Sequence, residues 1–133
     1  MLTYRRMKKS EANYAINLAR DEINIEPKRL EAYKTYLIYN KSERIGYVSF
    51  RFKPDKTIYI YILAFEKEAQ RQGFASTVLD SLIKYGRKKN DCFKGLSARI
   101  HKVNEPAINA ANKHGFLVTG ERTKYFDFMK PAS

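Results

Sequence analysis

The sequence contains a single cysteine, few acidic residues and no long apolar run, and each of these shortages excludes a class of protein. Cys92 stands alone among 133 residues, so an internal disulfide is excluded and a reducing compartment is expected. No apolar stretch approaches the roughly 18 residues that a membrane-spanning helix needs. Lys8 and Lys9 interrupt the N-terminal region before any signal-like segment. We therefore expect a cytoplasmic protein with no membrane partner.

The shortage of acidic residues leaves the chain strongly basic. It has 26 Lys and Arg against 14 Asp and Glu, a formal net charge of +12. Such a charge attracts anionic partners, nucleic acid among them, and repels basic peptides. The basic residues are spread along the chain, which is also typical of a solvated surface without a nucleic-acid ligand. Composition alone leaves both interpretations open.

The apolar pattern predicts one mixed α/β domain that spans residues 1–133, without repeats, linkers or low-complexity segments. Alternating and helical spacings follow one another in the order β α α β β β α β α β β. Ser10 is the expected N-cap of the first helix. Pro27 is expected to break that helix or to open a short second one at residues 29–33.

One strand–loop–helix segment predicts a site for a phosphorylated ligand. Residues 58–65 are β-branched and aromatic, as in a largely buried strand, and helical spacing of apolar residues begins at Phe74. Residues 70–75, called the anion loop below, lie between them. Free N–H groups and the dipole at a helix N-terminus favour a phosphate. Gly73 keeps the backbone accessible, and Arg71 adds a positive charge.

The anion loop and a later segment resemble the GNAT superfamily of N-acetyltransferases. The loop reads Gln-Arg-Gln-Gly-Phe-Ala and fits the pattern Gln/Arg-x-x-Gly-x-Gly/Ala of that family. The later segment places Ala107 three residues after Asn104 and closes on Lys113-His114-Gly115-Phe116. The three glycines of a dinucleotide fingerprint and the Gly-Lys-Ser/Thr of a P-loop are both absent. The resemblance extends over residues 44–128.

This resemblance implies acetyl-CoA as co-substrate, no metal, and direct acetyl transfer to a primary amine in a ternary complex. It implies a mostly antiparallel sheet of about six to seven strands, with about four helices on both faces. A parallel strand pair would splay apart to admit the pantetheine arm. The implied cofactor-binding residues are Phe65, Gln70, Arg71, Gln72, Gly73, Phe74, Ala75, Ser76, Asn104, Ala107 and Lys113. For some of them a simpler role stays open, such as helix capping by Asn104 or a solvated Lys113.

The catalytic groups depart from the family pattern. Ala111 occupies the position where the family has a tyrosine that acts as general acid. Residues 58–65 contain no carboxylate that could serve as a base. Three substitutes are expected on chemical grounds: Glu66 or His101 as a base and Tyr125 as an acid. The simpler alternatives are a solvated carboxylate, a strand histidine without a role and an aromatic residue of the core.

Two alternatives to an ordinary transferase remain at this stage. The first is a CoA-binding protein without turnover. The second is a nucleic-acid-associated protein of the same fold, for example one acting on aminoacyl-tRNA, which the net charge favours. The acceptor amine is expected to be acidic or RNA-linked, and a homodimer stays open. We expect Cys92 to be a buried or partly buried bystander.

Overall fold

A computed structural model describes residues 1–132, and this part of the chain contains seven strands and three α-helices. The strands are β1 (Leu2–Arg6), β2 (Lys34–Asn40), β3 (Glu43–Phe52), β4 (Thr57–Phe65), β5 (Gly95–His101), β6 (Leu117–Glu121) and β7 (Tyr125–Pro131). The helices are α1 (Ala12–Ile23), α2 (Phe74–Lys89) and α3 (Glu105–Lys113). The predicted mixed α/β fold is confirmed. None of these helices is long and apolar enough to cross a membrane.

The seven strands form one sheet in the order β1-β2-β3-β4-β5-β7-β6. The pairs β1–β2, β2–β3, β5–β7 and β6–β7 are antiparallel. β4 and β5 are parallel, with Thr57 opposite Gly95 and Tyr59 opposite Ser97. The predicted parallel pair on either side of α2 is therefore confirmed. Its separation into a gap for pantetheine stays a prediction.

Residue contacts divide the chain into two compact units, of which the first contains Met1–Arg51 and Ile60–Thr77. Its core joins α1 to the centre of the sheet through the following buried side chains: Ala15, Leu18, Ala19, Leu30, Leu37, Tyr47, Ile62 and Ala64. The Tyr47 hydroxyl donates a hydrogen bond of 2.8 Å to the Ala15 carbonyl oxygen. Because both groups are buried, this bond fixes α1 on β3.

The second unit contains Phe52–Tyr59 and the residues from Val78 onward. Four apolar residues of α2 are buried at the spacing of one helix face: Val78, Leu79, Leu82 and Ile83. Gly86 is buried on the same helix, where a Cβ atom would lie 2.4 Å from the Phe93 ring. The absence of a side chain at Gly86 thus lets the turn after α2 fold back on the helix.

Two local predictions are wrong at the start of the chain. Ser10 is not the N-cap of α1, since it lies inside a 3₁₀ turn, Lys9–Glu11, that precedes the helix. The Glu11 carboxylate accepts the Lys8 N–H at 2.8 Å, so it reaches back to the residue that precedes this turn. The helix expected at residues 29–33 is only a 3₁₀ turn, Leu30–Ala32, because Tyr33 is already extended.

The ion pair beside this turn predicts a pH dependence of stability. Arg5 donates to both oxygens of Glu11, at 3.1 and 2.7 Å, and these bonds lower the pKa of Glu11 from 4.5 to about 2. The folded pKa lies below the unfolded one, so the stabilisation is present above about pH 4.5 and is lost as the pH falls towards 2. Melting temperatures measured across this range should show Glu11→Gln below the wild type at neutral pH and converging on it as the pH falls through about 2. Asp21→Asn is the control, since Asp21 forms an exposed 3.6 Å pair with Arg20; a pH-independent gap for Glu11→Gln would contradict the prediction.

Candidate active site

The anion loop presents a series of unbonded backbone donors at the N-terminus of α2. Arg71 and Gly73 both have positive φ angles, 63° and 81°, a conformation that turns successive N–H groups into a concave anion site. Within residues 1–132, no hydrogen bond uses the N–H groups of residues 71–75. These donors and the helix dipole together form a site for a phosphate group.

Gly73 is the residue that keeps this site open. A Cβ atom at Gly73 would meet no atom within 4 Å, so the space in front of the loop is empty. Its φ of +81° is one that residues with side chains rarely adopt. Arg71 is exposed beside it and supplies a positive charge. The residues present therefore fit a pyrophosphate.

Two glutamine side chains of the anion loop form hydrogen bonds with residues outside it. The Gln70 amide donates to the Glu22 carboxylate at 2.8 Å and to the Phe65 carbonyl oxygen at 3.0 Å. The Gln72 amide donates to the Glu68 carbonyl oxygen at 2.6 Å. Both side chains thus hold the loop in shape and leave its backbone free for a ligand. Direct contact of either side chain with the cofactor stays a prediction.

The end of β4 offers a backbone edge next to the anion loop. The Glu66 N–H donates to the Ile45 carbonyl oxygen of β3 at 2.8 Å. Since backbone groups alternate in direction along a strand, the N–H of Phe65 points away from β3. The Phe65 ring packs on Phe74, with ring centroids 6.4 Å apart. Phe65 therefore joins β4 to the start of α2 and leaves one N–H donor for a ligand.

The second motif forms a capped helix. Asn104 is the N-cap of α3, and its side-chain oxygen accepts the Ala107 N–H at 3.3 Å. Gly115 follows α3 with a φ of 86°, as expected of a helix stop. Lys113 is exposed in the last turn. The capping role of Asn104 is thus confirmed, and cofactor contacts by Asn104, Ala107, Lys113 and Ser76 stay predictions.

Two of the predicted catalytic residues lie side by side. His101 on β5 is the register partner of Tyr125 on β7, and their rings meet edge to face at 5.1 Å. The Nδ1 atom of His101 accepts the Val103 N–H at 3.2 Å, so the neutral ring carries its proton on Nε2. The Tyr125 side chain is 38% exposed. In this arrangement the His101 ring supports Tyr125, and the roles of His101 as a base and of Tyr125 as an acid stay predictions.

The third predicted catalytic residue, Glu66, has a partner that the sequence did not indicate. The Tyr14 hydroxyl donates to Glu66 at 3.1 Å. Burial, followed by the charge of Glu66, raises the pKa of Tyr14 well above its usual range, so the phenol stays protonated. The Arg44 guanidinium lies 3.7 Å from the centre of the Tyr14 ring. No local pattern could reveal Tyr14, because 52 residues separate it from Glu66.

The prediction that Cys92 is buried or partly buried is wrong. Cys92 is exposed, in the polar turn that follows α2. Its N–H donates to the Asn90 side chain at 2.9 Å, and the neighbouring Phe93 fills the buried position of the turn. The polar sequence around Cys92 therefore determines its exposure.

Comparison with known proteins agrees with this geometry. The model of the acetyltransferase (GNAT) family matches residues 4–116. Among curated proteins, no sequence relative matches the chain. The chain does resemble solved structures, at sequence identities so low that the likeness concerns the fold alone.

Three of these structures are N-acetyltransferases. The ribosomal-protein-S18-alanine N-acetyltransferase of Escherichia coli is 15% identical with a TM-score of 0.75, covering 100% of this chain and 95% of the other. PaiA N-acetyltransferase of Thermoplasma acidophilum, in complex with coenzyme A, is 15% identical with a TM-score of 0.76, covering 98% of this chain and 99% of the other. A chimera of spermidine N-acetyltransferase SpeG from Vibrio cholerae and hSSAT is 15% identical, with a TM-score of 0.74 and coverages of 98% and 95%. Since the family model matches most of its length, the chain belongs to the GNAT family of acetyltransferases and is an acyltransferase.

Proposed function

We propose that the chain binds acetyl-CoA through the anion loop and transfers the acetyl group directly to a primary amine. The observation that carries this proposal is the run of unbonded N–H groups at residues 71–75, facing the open space at Gly73. Family membership supports it, as does a similar fold that was solved with coenzyme A. The amine acceptor is supported by two similar structures, whose names specify a ribosomal-protein alanine and spermidine.

In this proposal the backbone performs the binding and orientation. The N–H groups of residues 71–75 hold the pyrophosphate, and Arg71 screens its charge. The Phe65 N–H pairs with an amide of the pantetheine arm and fixes the thioester along β4. Positioning of this kind supplies a large part of the rate acceleration, because the thioester and the amine are already held in reactive geometry and need not meet in solution.

The chemical step exchanges a C–S bond for a C–N bond. The acceptor amine must be neutral to attack, although an alkyl amine with a pKa of about 10 is mostly charged at pH 7. Its nitrogen attacks the thioester carbon, the sulfur leaves as a thiolate, and the amine releases a proton to water or to Glu66. A general acid, the role predicted for Tyr125, protonates the thiolate and regains its proton from water, and the edge of His101 supports that phenol. Every proton and electron pair is then accounted for without an enzyme-bound acetyl group.

Charge reversal at Gly73 tests the binding site. Gly73→Asp places a carboxylate in the open space that the pyrophosphate would occupy, whereas Gly73→Asn has the same shape without the charge and tolerates a positive φ. We expect acetyl-CoA to bind about 30-fold more weakly to the Asp variant than to the Asn variant, since like charges about 4 Å apart repel by a few kcal/mol near a surface. Calorimetric titration of both variants with acetyl-CoA measures the difference. Equal affinities would contradict binding at the anion loop.

A further inference from the structure

A stacked aromatic pair joins Tyr61 of β4 to Tyr33, the residue directly before β2. The rings of Tyr33 and Tyr61 are 4.2 Å apart and nearly parallel, with an interplanar angle of 13°. The Lys28 N–H donates to the Tyr61 hydroxyl at 3.2 Å. Pro27 and Leu30 are buried in the same segment. The connection between α1 and β2 is therefore held firmly against β4.

The position of Tyr61 on β4 relates this pair to the transfer reaction. Tyr61 precedes Phe65 by four residues, which is about 13 Å along a strand. A cofactor whose phosphates lie on the anion loop and whose amide pairs with Phe65 has its thioester further towards the start of β4. An acceptor amine that reaches this thioester must therefore approach close to Tyr61.

Arg51 lies over the Tyr33 ring of the stacked pair and adds a positive charge that forms no ion pair in the described part of the chain. Its guanidinium carbon lies 5.6 Å from the centre of the Tyr33 ring, a cation–π distance that restricts a long side chain. Arg51 is exposed, and within residues 1–132 no ion pair involves it. A guanidinium held in one orientation binds a carboxylate or phosphate with two parallel hydrogen bonds.

The neighbouring charges do not neutralise Arg51. The segment of residues 24–34 contains Lys28, Arg29 and Lys34 against Glu26 and Glu31, and β4 itself contains no carboxylate. The surplus is positive on this segment, as it is for the whole chain at +12. A polyamine would meet repulsion at this position, and an anion would meet attraction.

We propose that Arg51, oriented by the Tyr33–Tyr61 stack, selects acceptor amines that carry a carboxylate or a phosphate. This inference rests on the proposed acetyl transfer and specifies its acceptor. The amine and the anionic group belong to the same molecule, with the anion bound by Arg51 and the amine directed along β4. Carboxylate and phosphate share this chemistry, and the probes below distinguish them.

The test compares acceptors that differ in one charged group. Acetyl transfer is measured with phosphoethanolamine against ethanolamine and with β-alanine against β-alaninamide, and spermidine serves as a cationic probe. We expect the wild type to prefer the anionic member of at least one pair by about 10-fold or more in kcat/KM, and to disfavour spermidine. Arg51→Gln should remove this preference by raising KM for the anionic member about 10-fold, with the neutral member changed less than about twofold. Arg51→Lys should keep part of it.

Arg6→Gln is the matched control. Arg6 also lies 5.6 Å from a tyrosine ring, that of Tyr36, which stacks on Phe50. Tyr36 is three residues from Tyr33 on an extended segment, so its side chain lies on the opposite face of the sheet. Arg6→Gln should leave the preference for anionic acceptors unchanged.

Three results would overturn the proposal: a wild type that prefers spermidine, an equal effect of Arg51→Gln on charged and neutral acceptors, or an equal effect of Arg6→Gln. If none of the five amines is acetylated, calorimetry of the CoA-saturated protein decides. Binding of phosphoethanolamine or β-alanine that Arg51→Gln abolishes supports the proposal, and absence of binding overturns it. Failure of the acetyl-transfer proposal is distinguishable, since acetyl-CoA would then fail to bind, or would bind without turnover on any amine, whichever residue stands at position 51.

Discussion

Gly46→Ala is expected to destabilise the protein by about 3 kcal/mol, because the added methyl group would collide with the backbone. Its Cβ atom would lie 2.2 Å from the Ala64 carbonyl oxygen and 3.0 Å from the Phe65 Cα atom. Neither atom can rotate away, as the end of a side chain could. The collision occurs where β3 supports the end of β4, so displacement there also moves the anion loop. Chemical denaturation gives the free energy of unfolding, and calorimetry should show weaker acetyl-CoA binding.

Gly120→Ala provides the control for this substitution. Gly120 also lies in a strand, β6, but the nearest atom to its Cβ position is a carboxylate oxygen of Asp127, at 3.3 Å. That side chain can shift by a few tenths of an ångström, so a change within about 1 kcal/mol is expected. Equal stabilities of Gly46→Ala and the wild type would mean that β3 and β4 do not approach as closely as the structure indicates.

Tyr125→Phe is expected to lower kcat by about 100-fold, the usual contribution of a positioned general acid. The loss should appear in kcat, with the affinity for acetyl-CoA unchanged, because the phenol acts on the leaving thiolate only. Ala111→Tyr should be neutral or harmful in the wild type if Tyr125 already supplies the proton. Steady-state kinetics and calorimetry on both variants measure these effects.

Tyr4→Phe is the control for the loss of a tyrosine hydroxyl, since Tyr4 is 37% exposed against 38% for Tyr125. It should keep wild-type turnover. If Tyr125→Phe behaves like Tyr4→Phe, solvent protonates the thiolate and Tyr125 has no chemical role. If Ala111→Tyr instead accelerates the wild type, leaving-group protonation limits turnover and Tyr125 does not provide it.

The elements that sequence reasoning predicted well are those with a strong local signal. The apolar spacing that begins at Phe74 and the Gly73 turn predicted α2 and its free N–H groups. Asn104 as a helix cap and Gly115 as a helix stop follow from the chemistry of single residues. Each of these features depends on a few adjacent residues, so the sequence alone contains the information.

The features that sequence reasoning missed depend on contacts between distant residues. Tyr14 meets Glu66, and Tyr33 meets Tyr61, only after the sheet has formed. Ser10 was an acceptable cap by residue type, but it lies inside the 3₁₀ turn Lys9–Glu11, which the Glu11–Lys8 contact stabilises. Arg51 looked like one solvated cation among 26 Lys and Arg residues, and only its place over Tyr33 distinguishes it.

The most direct test of direct acetyl transfer is a thiol-release assay with acetyl-CoA and a panel of amines, combined with mass spectrometry of the enzyme and the acceptor. We predict one CoA released for each N-acetylated acceptor, release that depends on the amine, and an enzyme that carries no acetyl group. Cys92→Ala should keep full turnover, because this exposed thiol has no part in the proposed path. Acetyl-CoA that binds without turnover on any amine, or an acetylated Cys92 that forms before the product, would contradict the account.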